Sequence, residues 1–351
     1  MPKNKDLVMQ LTTLLNISIP MIQAPMAGVQ NWRLAAAATN AGILGSIPCG
    51  MLSKEQVVAE IEHFKAHASG PYNLNFFCHE MPELDPYQQD KWKKKLASYY
   101  DELELTPSDD MGILRRPFDR EMAEAIAPYK PPVISFHFGL PDAELVELVK
   151  SWGTTILSSA TTLEEGIWLA ENGADIVIAQ GIEAGGHRAT FTETKLESQL
   201  HTRQLVTILA DALSVPVVAA GGIASHHDVT MMHELGACGT QIGTCFLLCD
   251  EASTSLVHRD ALKSLAEPSA VTNVFSGRPA RGIENRLMID LSFINDDVPT
   301  FPYASAALTP LRAAAEKQGS GDFSPLWAGV NRQGCMEVST QEMVEHLWNV
   351  K

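Results

Sequence analysis

Between Met21 and Ile242 the chain alternates short apolar runs with helical segments eight times, and few architectures accept that rhythm. The runs are Met21 to Ala24, Ile43 to Ile47, Tyr72 to Phe77, Val133 to His137, Thr154 to Ser158, Asp175 to Gln180, Val215 to Ala220 and Gly239 to Ile242. Most are short, rich in Ile, Val and Leu, and show little polar alternation, as strands covered on both faces do. Turn residues and a helical pattern follow most of them. Ser53, with Gln56 three residues on, reads as a capping box opening a helix that continues to about His67. Such repetition predicts a parallel sheet, and eight units predict closure into a (β/α)8 TIM barrel over about residues 20–250. An open doubly wound sheet is the competitor, weakened because no Gly-x-Gly-x-x-Gly follows the first run.

Two long stretches break the rhythm. Residues 78–117 are polar, with Lys91, Lys93, Lys94 and Lys95 among many acids, and predict a helical insertion whose lysines form a solvated face. Residues from about 250 to 351 predict a C-terminal helical extension with irregular loops, packed on the barrel mouth rather than standing as a second domain. A short amphipathic segment, about Leu7 to Leu15, leads into the barrel.

The 42 acidic against 26 basic residues leave a formal charge of −16, a field that repels nucleic acid and anionic lipid. No apolar run reaches the length of a membrane span, and the N-terminus lacks the apolar core of a signal peptide. The six cysteines form no CxxC pair and read as reduced thiols, so a cytoplasmic protein is expected. No His, Asp and Glu set has metal-ligand spacing, and no metal is expected. Composition leaves monomer and homodimer both open.

Barrel chemistry sits at the C-terminal ends of the strands, with phosphate often held by the loops after the seventh and eighth. Here those loops are Ala219-Ala-Gly-Gly-Ile-Ala224 and Gln241-Ile-Gly-Thr244. Their glycines let backbone N–H groups face an anion, and Thr244 adds a hydroxyl. The sixth run ends in Gln180, followed by Gly181, Gly185, Gly186 and the titratable His187. Asn75 lies within the third run among apolar neighbours and His137 ends the fourth, each readable as a satisfied core side chain or as a ligand contact. Amide and imidazole groups converging over a phosphate site suit a flat heterocycle.

These motifs resemble the nitronate monooxygenases, formerly called 2-nitropropane dioxygenases. The likeness rests on Gln23-Ala-Pro-Met-Ala-Gly28, Asn73-Leu-Asn-Phe-Phe77, Ser135-Phe-His-Phe-Gly-Leu-Pro141, Gln180-Gly-Ile-Glu-Ala-Gly-Gly-His187, Ala219 to Ile223, Gln241 to Thr244 and Trp327-Ala-Gly329. The resemblance implies an FMN-dependent oxidation of alkyl nitronates, such as propionate-3-nitronate, by O2 to carbonyl compounds and nitrite. It implies that Asn75 and Gln180 bind polar parts of the flavin and that Gly185, Gly222, Gln241, Ile242, Gly243 and Thr244 hold its ribityl-phosphate end. His187 then serves as the catalytic residue, His137 as a substrate contact, and the backbone at Ala24 to Met26 touches the ring. One departure stands out: Val330 follows Trp-Ala-Gly where the family pattern has Gln. Rival readings are an NAD(P)H-dependent reductase of enoyl thioesters or quinones on the same scaffold, a sugar-phosphate isomerase or aldolase, and a binding protein that has lost turnover.

Overall fold

The computed structural model describes residues 10–108, 110–192 and 195–349. Residues 7–9 of the expected amphipathic lead-in lie outside the described residues. Eight parallel strands form the central sheet: β1 (Met21–Gln23), β2 (Gly45–Pro48), β3 (Tyr72–Phe77), β4 (Val133–His137), β5 (Thr155–Ala160), β6 (Ile176–Gln180), β7 (Val217–Ala220) and β8 (Gly239–Ile242). β1 pairs with β8, and a parallel bridge from Ile22 to Leu44 joins β1 to the start of β2. The sheet is thereby closed, and the fold is a TIM barrel.

Some strands begin later than the apolar runs suggest. Ile43 gives its N–H to the Ala38 carbonyl at 3.2 Å, finishing the preceding helix instead of entering the ladder. Pro216 has no N–H to give, and β7 starts after it. The helix Lys54–His67 opens with the expected Ser53–Gln56 capping box and buries Val57, Ile61 and Phe64 along one stripe.

Period-two alternation layers the barrel interior. Val133, Ile176 and Val218 belong to an apolar cluster that Leu11 and Leu15 join. Two or four residues further along the strands, Ser135, His137 and Gln180 line a cavity at the C-terminal ends. Across the middle layer Asn73 Nδ2 donates to Ser46 Oγ at 3.0 Å and to Ser135 Oγ at 2.9 Å.

The insertion is helical, Pro86–Glu102, but its lysines are not simply a solvated face. Lys91 and Lys95 both pair with Asp297 of the C-terminal extension. The opposite stripe, Trp92, Leu96, Tyr99 and Tyr100, packs with Leu308 and Leu311 of the helix Ala304–Lys317. Trp92 and Tyr100 donate to the carbonyls of Ala304 and Ala307 at 3.2 and 2.6 Å. The extension is also not all helices and loops. It contains an antiparallel hairpin, β9 (Ser269–Thr272) and β10 (Ala280–Ile283), and β10 pairs with the two-residue strand Gly186–His187. All six cysteines are free thiols. Among the described residues no helix is long and apolar enough to cross a membrane.

Candidate active site

The ten candidate site residues line one cavity at the barrel mouth: Asn75, His137, Gln180, Gly185, His187, Gly222, Gln241, Ile242, Gly243 and Thr244. Ala24, Pro25 and Met26 line it too. Strand ends deliver the side chains. Asn75 gives its Nδ2 to Ser135, at 2.9 Å to Oγ and 3.2 Å to the carbonyl, which leaves Oδ1 for a ligand. Gln180 uses both ends of its amide on the loop it precedes, donating to the His187 carbonyl at 3.0 Å and accepting from Ala189 N at 2.9 Å. Its first task is therefore to shape the loop, with one Nε2 proton left over. Gln241 is different: its Oε1 is buried and has no partner among the described residues.

The glycine loop is held at close quarters by the C-terminal segment. A Cβ on Gly185 would lie 2.6 Å from the Ala328 carbonyl carbon and 2.6 Å from Gly329 N, so no other residue fits beneath that cover. Gly329 N donates to Thr244 Oγ1 at 3.0 Å, Val330 N to the Glu183 carbonyl at 3.0 Å, and Asn331 Nδ2 to the Gly222 carbonyl at 3.4 Å. Val330 joins this cover through its backbone, and its side chain is 48% exposed. Gly222 adopts φ +71°, a left-handed conformation that brings its backbone to the cavity edge. Beside it the 3-10 turn Thr244–Leu248 leads with amides that have no partner within the turn.

His187 sits in an aromatic box, with ring centroids 5.6 Å from Phe301, 5.6 Å from Trp327, 6.2 Å from Phe138 and 6.5 Å from Phe77. Burial, and then the charges of Arg115 and Arg278 with His137 and His79 nearby, hold its pKa well below the usual imidazole value. It is a neutral ring at physiological pH. His137 is neutral for the same leading reason, its pKa pushed down to about 4, and its Nε2 donates to the His187 carbonyl at 3.2 Å. No Asp or Glu occurs among the described residues that line the cavity, whereas Arg115 does.

Arg115 was not legible in the sequence. It lies in the polar insertion, and nothing local distinguishes it from Arg116. Nor was His258, on the helix Leu256–Ser264, which lines the cavity with only 4% of its surface exposed and its Nε2 without a partner among the described residues. Arg188 was also passed over. It is buried at 1% exposure and ties the loop together.

A neutral imidazole among aromatic rings, a cavity lined without carboxylates and glycine loops at the strand ends of a TIM barrel have the make-up of an enzyme active site. Comparison places it more closely. The family model for nitronate monooxygenase matches residues 9–349, and the chain belongs to that family. It is 37% identical over 342 residues to a nitronate monooxygenase of Pseudomonas aeruginosa, covering 96% of this chain and 97% of that one. It is 34% identical over 339 residues to a probable nitronate monooxygenase of Bacillus subtilis, with 95% of each covered. Among solved structures, a nitroalkane oxidase from Streptomyces ansochromogenes superposes with a TM-score of 0.88 at 33% identity over 96% of both chains. FabK from Thermotoga maritima shares the fold, at a TM-score of 0.69 and 21% identity over 97% of this chain and 94% of that one.

Proposed function

We infer that the protein oxidises alkyl nitronates, propionate-3-nitronate among them, with O2 to carbonyl compounds and nitrite, using FMN bound at the barrel mouth. The observation that carries this reading is the acid-free cavity beside Arg115 in a chain of net charge −16, a site that selects a small anion. The backbone of Gly222 and of Ile242 to Thr244, with the Gln241 side chain, would hold the ribityl-phosphate end of the FMN. Asn75 and Gln180 would complete the polar contacts, and Gly185 lets the cover close over them. When bound, the flavin supplies the electron transfer from nitronate to O2.

The chain's own residues supply the rest. Arg115 attracts and orients the anion, with His137 as a further substrate contact. Phe77, Phe138, Phe301 and Trp327 exclude water and strengthen that attraction. Neutral His187 has no need to hold the anion; it removes the Cα proton of a neutral nitroalkane, producing the nitronate in place. The test is an oxygen electrode run with ethylnitronate and no nicotinamide, assayed afterwards for nitrite. O2 uptake with nitrite formation supports the reading, and O2 uptake without nitrite sinks it.

A further inference from the structure

His187 reaches its place by pairing across the hairpin: it stands opposite Ala280 on β10, and Arg188 N donates to the Pro279 carbonyl at 2.8 Å. The turn of the same hairpin brings Ser276, 2% exposed, to His187, with Oγ 2.8 Å from Nε2. Ser276 Oγ also lies 3.3 Å from the Arg278 carbonyl, to which it can only donate, and 3.4 Å from Arg278 N, from which it can only accept. The hydroxyl has a single proton. If it goes to the Arg278 carbonyl, His187 Nε2 must be the protonated nitrogen, and each contact in the row carries its own proton. If it goes to Nε2, the Arg278 carbonyl loses this donor.

We propose that Ser276 is the positioning residue of the active site, fixing His187 in the tautomer that carries hydrogen on Nε2 and presents the Nδ1 lone pair as the base. The proposal rests on the nitronate reading above and assigns the atom that does the work. Nδ1 has no protein partner among the described residues, whereas Nε2 has Ser276. In the proton-transfer step the Cα–H bond of a neutral nitroalkane breaks and an N–H bond forms at Nδ1. The electron pair stays on the substrate as the nitronate, and nothing is oxidised or reduced. The imidazolium so formed faces Arg115 from the insertion, Arg278 from the hairpin turn, His137 from β4 and His79 from the segment after β3. Two of these are permanent cations that oppose it. The Ser276 oxygen, backed by the Arg278 carbonyl, is the acceptor that favours it.

The residue therefore matters for substrates that must lose a proton and little for those that arrive as anions. The experiment compares kcat/KM for nitroethane and for ethylnitronate in wild type, Ser276→Ala, Ser276→Thr and His187→Asn, each with its flavin content measured. Losing a hydrogen bond to a charged group should lower the nitroethane-to-ethylnitronate ratio about 10-fold or more in Ser276→Ala. The acid limb of its nitroethane profile should move to lower pH, because the imidazolium has lost its acceptor. Ser276→Thr should restore the ratio, and selective 15N labelling should show His187 protonated on Nε2 in wild type. An unchanged ratio in Ser276→Ala, an equal loss on both substrates, or a His187 protonated on Nδ1 overturns the role of Ser276. A flavin-loaded wild type inert to both substrates overturns the nitronate reading instead.

Discussion

Arg188 Nη2 donates to the Gln180 carbonyl at 2.7 Å from a side chain that is only 1% exposed. Its Nη1 donates to the Gly181 carbonyl at 2.7 Å, while Nε and Nη2 share Gln199 Oε1 at 3.1 and 2.9 Å. One buried guanidinium thus ties the end of β6 to the residue just after His187. Desolvation works against its charge, and Glu165 and Glu183 favour it. Arg188→Met removes those donors at once and leaves buried acceptors unpaired, so we expect a loss of about 3–5 kcal/mol. Urea unfolding followed by circular dichroism measures it. A variant as stable as wild type would mean that the loop is held by β10 alone.

Gly222 stands at φ +71° with an imagined Cβ 3.2 Å from Glu183 Cβ. Gly222→Asp would strain the backbone and place a carboxylate at the proposed phosphate contact. The variant should elute from gel filtration colourless, with no flavin in its heat supernatant. Full flavin content would move the phosphate site elsewhere.

The barrel was legible because its signals are local: apolar runs, caps and breaks each lie within a few residues. The same holds for the strand-end residues, whose positions follow once the strands are placed. What escaped depends on distant pairing. His187 opposite Ala280, and Ser276 against His187, join segments that no periodicity relates. The Ser276-Gly-Arg-Pro279 stretch reads only as a turn until its partner strand is known. Likewise Lys91 and Lys95 look solvated until Asp297 arrives from the extension.

Arg115 faces a cavity without carboxylates, 6.0 Å from the Phe301 ring centroid. Arg115→Gln should raise KM for ethylnitronate about 10- to 100-fold, the worth of one charge-assisted hydrogen bond, with flavin content unchanged. A KM equal to wild type would remove Arg115 from anion recognition.

Several histidines are held as neutral rings by desolvation. Desolvation first of all pushes the pKa of His79, His137 and His258 down to about 4, and it lowers that of His187 and His233. Unfolded, each would take a proton near pH 6.5. Between pH 6.5 and about 4 the unfolded chain therefore binds more protons than the folded one, and stability falls as pH falls. The slope is roughly 1.4 kcal/mol per pH unit for each such histidine. The urea midpoint should drop clearly from pH 7 to pH 5. A flat midpoint would mean that these rings charge in the folded state.

The last prediction separates nitronate oxidation from a nicotinamide-dependent reductase on the same scaffold. A reductase must admit a second, larger cofactor beside the flavin, yet Trp327 to Asn331 lie over the glycine loop and Phe77, Phe138 and Phe301 crowd His187. No Gly-x-Gly-x-x-Gly follows β1. What the cavity offers is room for a small anion beside Arg115. Anaerobic mixing with ethylnitronate should therefore bleach the visible flavin band of the purified protein, while NADH and NADPH leave it unchanged. Rapid bleaching by either nicotinamide, with ethylnitronate inert, would assign the site to reductase chemistry and leave Arg115 without its proposed partner.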